Sequence, residues 1–141
     1  MVRVVGSQCR AVVPHGCDRC AGDATYAEMI VDGRLHWSVS HSCTAEPPGH
    51  SEDCGRDDPP AELRRALLEQ CGEYRLRVDG QSDRGAVMKV LRERLATPLP
   101  EMSALVATLA GAGLGGTEME LRLLAQQFTE AGVSALVQRP T

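Results

Sequence analysis

The sequence predicts an α+β protein in two parts. A cysteine-bearing β-hairpin module occupies residues 1–60, a connecting helix 61–72, and a β-α-α-β-α-β unit 73–141. Three observations carry this expectation. All six cysteines lie at or before Cys71. Between Cys17-Asp18-Arg19-Cys20 and His41-Ser42-Cys43 stands a single two-residue hairpin signal, Asp32-Gly33. Beyond Gly72 the pattern becomes alternating strands and apolar residues at helical spacing.

In chain order, Met1–Val5 suits a short strand, and Pro14 and Gly16 turn the chain into Cys17. Asp-Gly suits a type I′ turn, whose twist matches that of the flanking strands. Counting outward from it pairs Val31 with Arg34, Ile30 with Leu35, Glu28 with Trp37, Tyr26 with Val39 and Ala24 with His41. Tyr26, Ile30, Leu35, Trp37 and Val39 then share an apolar face. Cys20 and Cys43 fall just beyond the open end of the hairpin.

Two thiols at Cys-x-x-Cys spacing can be aimed at one ion by a tight knuckle. A redox pair of the same spacing should open a helix after a buried strand; here Gly22-Asp23 and a β-like segment follow. The expected ligands of a structural zinc ion are therefore Cys17, Cys20 and Cys43. Cys54 is the fourth by chemistry, with His41 the alternative by proximity. The module is thus zinc-ribbon-like. Disulfides and unligated thiols are the competing fates of these cysteines, and Cys9 and Cys71 read as small buried hydrophobes. Residues 44–60, acidic and carrying four prolines, read as a loop pinned by Cys54. Leu63, Ala66 and Leu67 then mark a helix that Gly72 ends.

In the second half, Tyr74, Leu76 and Val78 alternate with Arg75 and Arg77. Val87, Val90, Leu91 and Leu95 make one helical stripe; Met102, Leu105, Val106 and Leu109 make the next. Glycines 111, 113, 115 and 116 leave room for a short strand. No P-loop or dinucleotide fingerprint fits them. Thr117 caps a helix striped by Leu121, Leu124, Ala125 and Phe128, and Val133, Ala135 and Val137 form a last strand.

From Tyr74 to Gln138 the chain resembles the C-terminal domain of bacterial ribosomal protein L7/L12. The best block is Lys89-Val90-Leu91-Arg92-Glu93, continuing through Leu99-Pro100-Glu101-Met102-Ser103-Ala104-Leu105-Val106. The family has a similar Lys-Val-Val-Arg-Glu, then Gly-Leu-Lys-Glu-Ala-Lys-x-Leu-Val, and Glu130-Ala131-Gly132 resembles its ending. The resemblance implies a docking domain whose first two helices face a protein partner, which is a translation GTPase in the family. Carried over, that face is Lys89, Arg92, Met102 and Ser103. Pro100 and Ser103 stand where the family has lysines, and its hinge and helical dimerisation segment are replaced by the cysteine-bearing head.

Residues 1–72 hold 7 basic and 11 acidic side chains, and residues 73–141 hold 8 of each. Neither half has the clustered positive charge of a phosphate-binding groove. No apolar run approaches a membrane span, and Met1–Arg10 lacks the apolar core of a signal peptide, so a cytoplasmic location is expected. The second half contains neither His nor Cys, and no nucleophile–base pair stands out anywhere. The expected function is a non-catalytic protein-interaction or adaptor protein with structural zinc. The alternative is a zinc-ribbon regulator associated with nucleic acid. A small metalloenzyme using the N-terminal site comes third.

Overall fold

The computed structural model describes residues 2–14, 20, 22–45, 47 and 49–141. The chain divides into two compact units, Met1–Gly72 and Glu73–Thr141.

Among its described residues the first unit is a five-stranded antiparallel sheet with one helix: β1 (Val4–Gly6), β2 (Ala11–Pro14), β3 (Asp23–Val31), β4 (Arg34–Cys43), β5 (Gly49–Arg56) and α1 (Ala61–Cys71). The expected hairpin is its centre. Asp32 and Gly33 both have positive φ, 48° and 77°, as a type I′ turn requires. The register of β3 on β4 is the one counted from that turn, from Val31–Arg34 to Ala24–His41. Both β1 and β2 pair with the other edge of β3.

Side chains alternate across a strand, so Tyr26, Trp37 and Val39 share a face with Ala11 and Val13. There they pack with Leu63, Ala66 and Leu67 of α1. The segment expected to be a connecting helix therefore closes the head's own core. Full burial of Leu63 and Leu67 contributes roughly 1.5–3 kcal/mol each. A small core of this kind gains from a staple, and one is present: Cys9 and Cys71, expected as plain buried thiols, form a disulfide across 62 positions of sequence.

β5 overturns the expectation of a loop over 44–60. Gly-His-Ser-Glu-Asp-Cys-Gly-Arg has no apolar alternation, so nothing in its pattern marks a strand. Backbone pairing to β4 makes it one. The Trp37 ring lies across it at Gly55, where an added Cβ would come within 2.7 Å of Cζ2.

The second unit runs β6 (Tyr74–Val78), α2 (Arg84–Leu95), α3 (Leu99–Ala110), β7 (Leu114–Gly116), α4 (Glu118–Glu130) and β8 (Ala135–Gln138). This is the expected β-α-α-β-α-β order, with the antiparallel sheet ordered β7-β6-β8. Asp83 Oδ1 accepts from the Gly85 N–H and Thr117 Oγ1 from the Glu120 N–H, capping α2 and α4. Tyr74, Leu76 and Val78 turn inward onto Val87, Leu91, Leu109, Leu124 and Phe128. Leu95, expected in the covered stripe, is 45% exposed at the last turn of α2.

Candidate metal centre

The hairpin register sets Ala24 opposite His41. Cys20 precedes β3 and Cys43 closes β4, so both arrive where His41 stands. One ligand atom each from Cys20, His41 and Cys43 lies within 4.8 Å of the others, close enough to hold a metal ion. His41 is buried at 4% exposure and the two cysteines are half-buried.

The geometry within this group suits a tetrahedral ion. Cys20 Sγ is 3.5 Å from His41 Nε2. Zinc bonds of ~2.3 Å to sulfur and ~2.0 Å to nitrogen at a tetrahedral angle set S and N roughly 3.5 Å apart. On its other side, His41 Nδ1 lies 3.0 Å from the Asp23 carbonyl oxygen. A carbonyl only accepts, so this bond assigns the proton to Nδ1 and leaves the Nε2 lone pair facing Cys20. A ligating histidine commonly has such an outer partner, which fixes both tautomer and ring angle.

Gly22 makes the close approach possible. A Cβ there would sit 3.1 Å from His41 Cε1 and 3.3 Å from Cys20 Sγ. Gly22→Val is accordingly expected to push the imidazole off its line and weaken metal binding about tenfold. Competition against a chromophoric chelator measures this; an unchanged affinity would show that the site relaxes freely. Sequence reasoning misses both supports. A main-chain carbonyl has no signature in sequence, and Gly22 reads there only as the lead into a β-like segment.

The two other expected ligands fare differently. Cys17 lies outside the described residues. Cys54 is corrected: it stands opposite Ser38 on β5, whereas Gly49 stands opposite Cys43. Ser38 and Cys43 are five strand positions apart, an odd number, so Cys54 points from the opposite face of the sheet. It is exposed and is not one of the three clustered ligands. His41, the alternative, takes the place expected of it. His50 also lies on the far face, where its Nδ1 is 3.2 Å from Ser42 Oγ and its Nε2 3.5 Å from Glu52 Oε2.

In the second unit, Lys89 and Arg92 are exposed on α2. They rim a groove of about 230 Å³, whose other walls include Met88, Thr97, Leu99 and Met102. Leu99 is 76% exposed at its edge. Met102 is corrected from a docking side chain to the groove's floor, because at 3% exposure it belongs to the core. Ser103 is exposed, and its Oγ accepts from Arg84 Nη2 at 3.2 Å.

No family model, curated protein or solved structure matches the chain. None of the helices among the described residues is long and apolar enough to cross a membrane.

Proposed function

We propose that this protein is a non-catalytic interaction or adaptor protein, with a zinc-held head and a docking face on its second unit. The single observation behind the docking reading is the groove between α2 and α3. An apolar floor and a 76% exposed Leu99 stand beside two cations, Lys89 and Arg92. Lys89 and Arg92 are two of the positions that the resemblance to ribosomal protein L7/L12 implies for partner contact. The chemistry fits an acidic protein segment carrying an apolar anchor: the anchor gains burial against Met88 and Leu99, while the rim charges steer and orient it.

For the head, two thiolates and one imidazole form a donor set typical of zinc. Cys17 is the remaining ligand in this reading and completes a closed, structural Cys₃His site. Such an ion cross-links the open end of the hairpin and leaves no position for substrate. The zinc-ribbon reading of the head rests on this site. The nucleic-acid alternative draws less support. Arg34, one of the few cations of the head, is held by Asp57 at 2.6 Å, and residues 1–72 carry net negative charge.

The test compares the proteins captured by the wild-type chain with those captured by Lys89→Glu/Arg92→Glu. Both side chains are exposed, so the variant should keep its fold and its metal content. Partners bound through the groove are expected to weaken roughly tenfold or more. An unchanged set of partners at unchanged affinity would remove the proposed face.

A further inference from the structure

β5 ends its sheet: among the described residues it pairs with β4 alone. Its residues are exposed apart from half-buried Gly55. The register on β4 is unbroken from Gly49 to Arg56, and the strand contains neither Pro nor Lys. Of the devices that blunt natural edges it carries charge alone, at Glu52, Asp53 and Arg56, and an open edge is otherwise a template for another strand.

The backbone geometry restricts what can pair there. The Asp57 N–H donates to the Leu35 carbonyl at 2.7 Å, one step beyond the His36–Arg56 pair. Hydrogen-bonded and non-bonded pairs alternate along antiparallel strands. Gly49, Ser51, Asp53 and Gly55 therefore bond to β4, and the main-chain groups of His50, Glu52, Cys54 and Arg56 point to the free edge. A second β5 approaching antiparallel must offer its own even-numbered residues to these.

Charge then selects among the remaining registers. Centring the pair on Glu52 sets Glu52 against itself, and centring on Asp53 sets Asp53 against itself. Centring on Gly55 leaves only Cys54–Arg56 of the strand in overlap. Centring on Ser51 overlaps five residues, Gly49–Asp53, as many as centring on Cys54, but it opposes Glu52 with His50 in place of an arginine. Centring on Cys54 places Glu52 opposite Arg56 and Arg56 opposite Glu52, all on the face away from α1. Opposite charges directly across a ladder stabilise it, and like charges oppose it.

We propose that β5 is a homodimer interface, in which two copies pair antiparallel about a two-fold axis through Cys54. The acidic residues, which discourage pairing in other registers, here determine the one that forms. In this arrangement the two Cys54 residues occupy a hydrogen-bonded pair with Cα atoms about 5.5 Å apart, within the reach of a disulfide.

Sedimentation equilibrium of the full chain over a range of concentrations tests this. The wild type is expected at the mass of two chains. Glu52→Arg sets cation against cation twice and should return the mass of one chain, as should Arg56→Glu alone. The double variant Glu52→Arg/Arg56→Glu exchanges the charges and should restore the dimer. Diamide, an azo oxidant, takes up the two thiol hydrogens as the Cys54 sulfurs join, and is expected to trap the wild-type dimer covalently. Cys54→Ser should lose the trap and keep the dimer mass. Circular dichroism confirms that each variant is folded. A wild type that sediments as one chain throughout overturns the proposal, as does a charge exchange that fails to restore the dimer or a trap that survives Cys54→Ser.

Discussion

Cys43→Ser is expected to strip the head of its metal. The cluster draws one ligand from before β3 and two from the end of β4, and among the described residues no further thiol stands on that face to replace the lost sulfur. Cys54, the nearest later cysteine in sequence, is on the other face. Structural zinc contributes apparent binding energies of about 10 kcal/mol or more in small modules, but here the loss should stay local. The core of the head lies among Leu63, Leu67, Tyr26 and Trp37, further along the hairpin from the cluster. Hydrogen exchange is therefore expected to accelerate in residues 20–24 and 41–51 while α1 keeps its protection. Metal analysis on protein purified without added metal, together with thiol titration, reads the first part. A wild type containing no metal, with Cys20 and Cys43 fully reactive, would falsify the zinc reading.

The second large effect is expected from Cys9→Ala/Cys71→Ala. Closing a loop between residues 62 apart removes chain entropy from the unfolded state worth about 4 kcal/mol. The disulfide joins the segment before β2 to the last turn of α1, where a second clasp works beside it. Gln70 Oε1 accepts from the Val12 N–H at 2.9 Å, and Gln70 Nε2 donates to the Val12 carbonyl at 2.8 Å. The amide thus occupies the open edge of β2 as a neighbouring strand would. Without the disulfide, that clasp and the apolar contacts of α1 must hold a four-residue strand alone. Denaturant unfolding followed at Trp37 should show a clear loss of stability in the first unit. The core of the second unit contains neither cysteine and should be unaffected. A melt of the first unit that superimposes on wild type would show that the disulfide holds nothing that the packing does not.

Much of the candidate site was legible in sequence, for a local reason. Asp32-Gly33 specifies its turn through the φ values that its residues tolerate, and the turn specifies the register. The register sets His41 and Cys43 at the open end of the hairpin, where the chain enters β3 from Cys20. The same locality explains the second unit, where the cap at Thr117 and the alternation of Tyr74, Leu76 and Val78 mark the elements one after another.

What the tertiary structure decided is non-local. β5 exists because β4 offers it a hydrogen-bonding edge, and its own residues show no strand pattern. Which face Cys54 occupies follows from that pairing, so its removal from the ligand set could not be foreseen. Cys9 and Cys71 meet only because α1 folds back onto β2. Met102 sits at a position that the resemblance assigned to a partner, yet packing carries it into the core. Sequence by itself thus determined the hairpin, its register, most of the metal cluster and the order of the second unit, since turn chemistry and apolar period act between near neighbours. The fold decided the disulfide, the edge strand and the two faces of the sheet, because each depends on groups far apart in the chain being brought side by side.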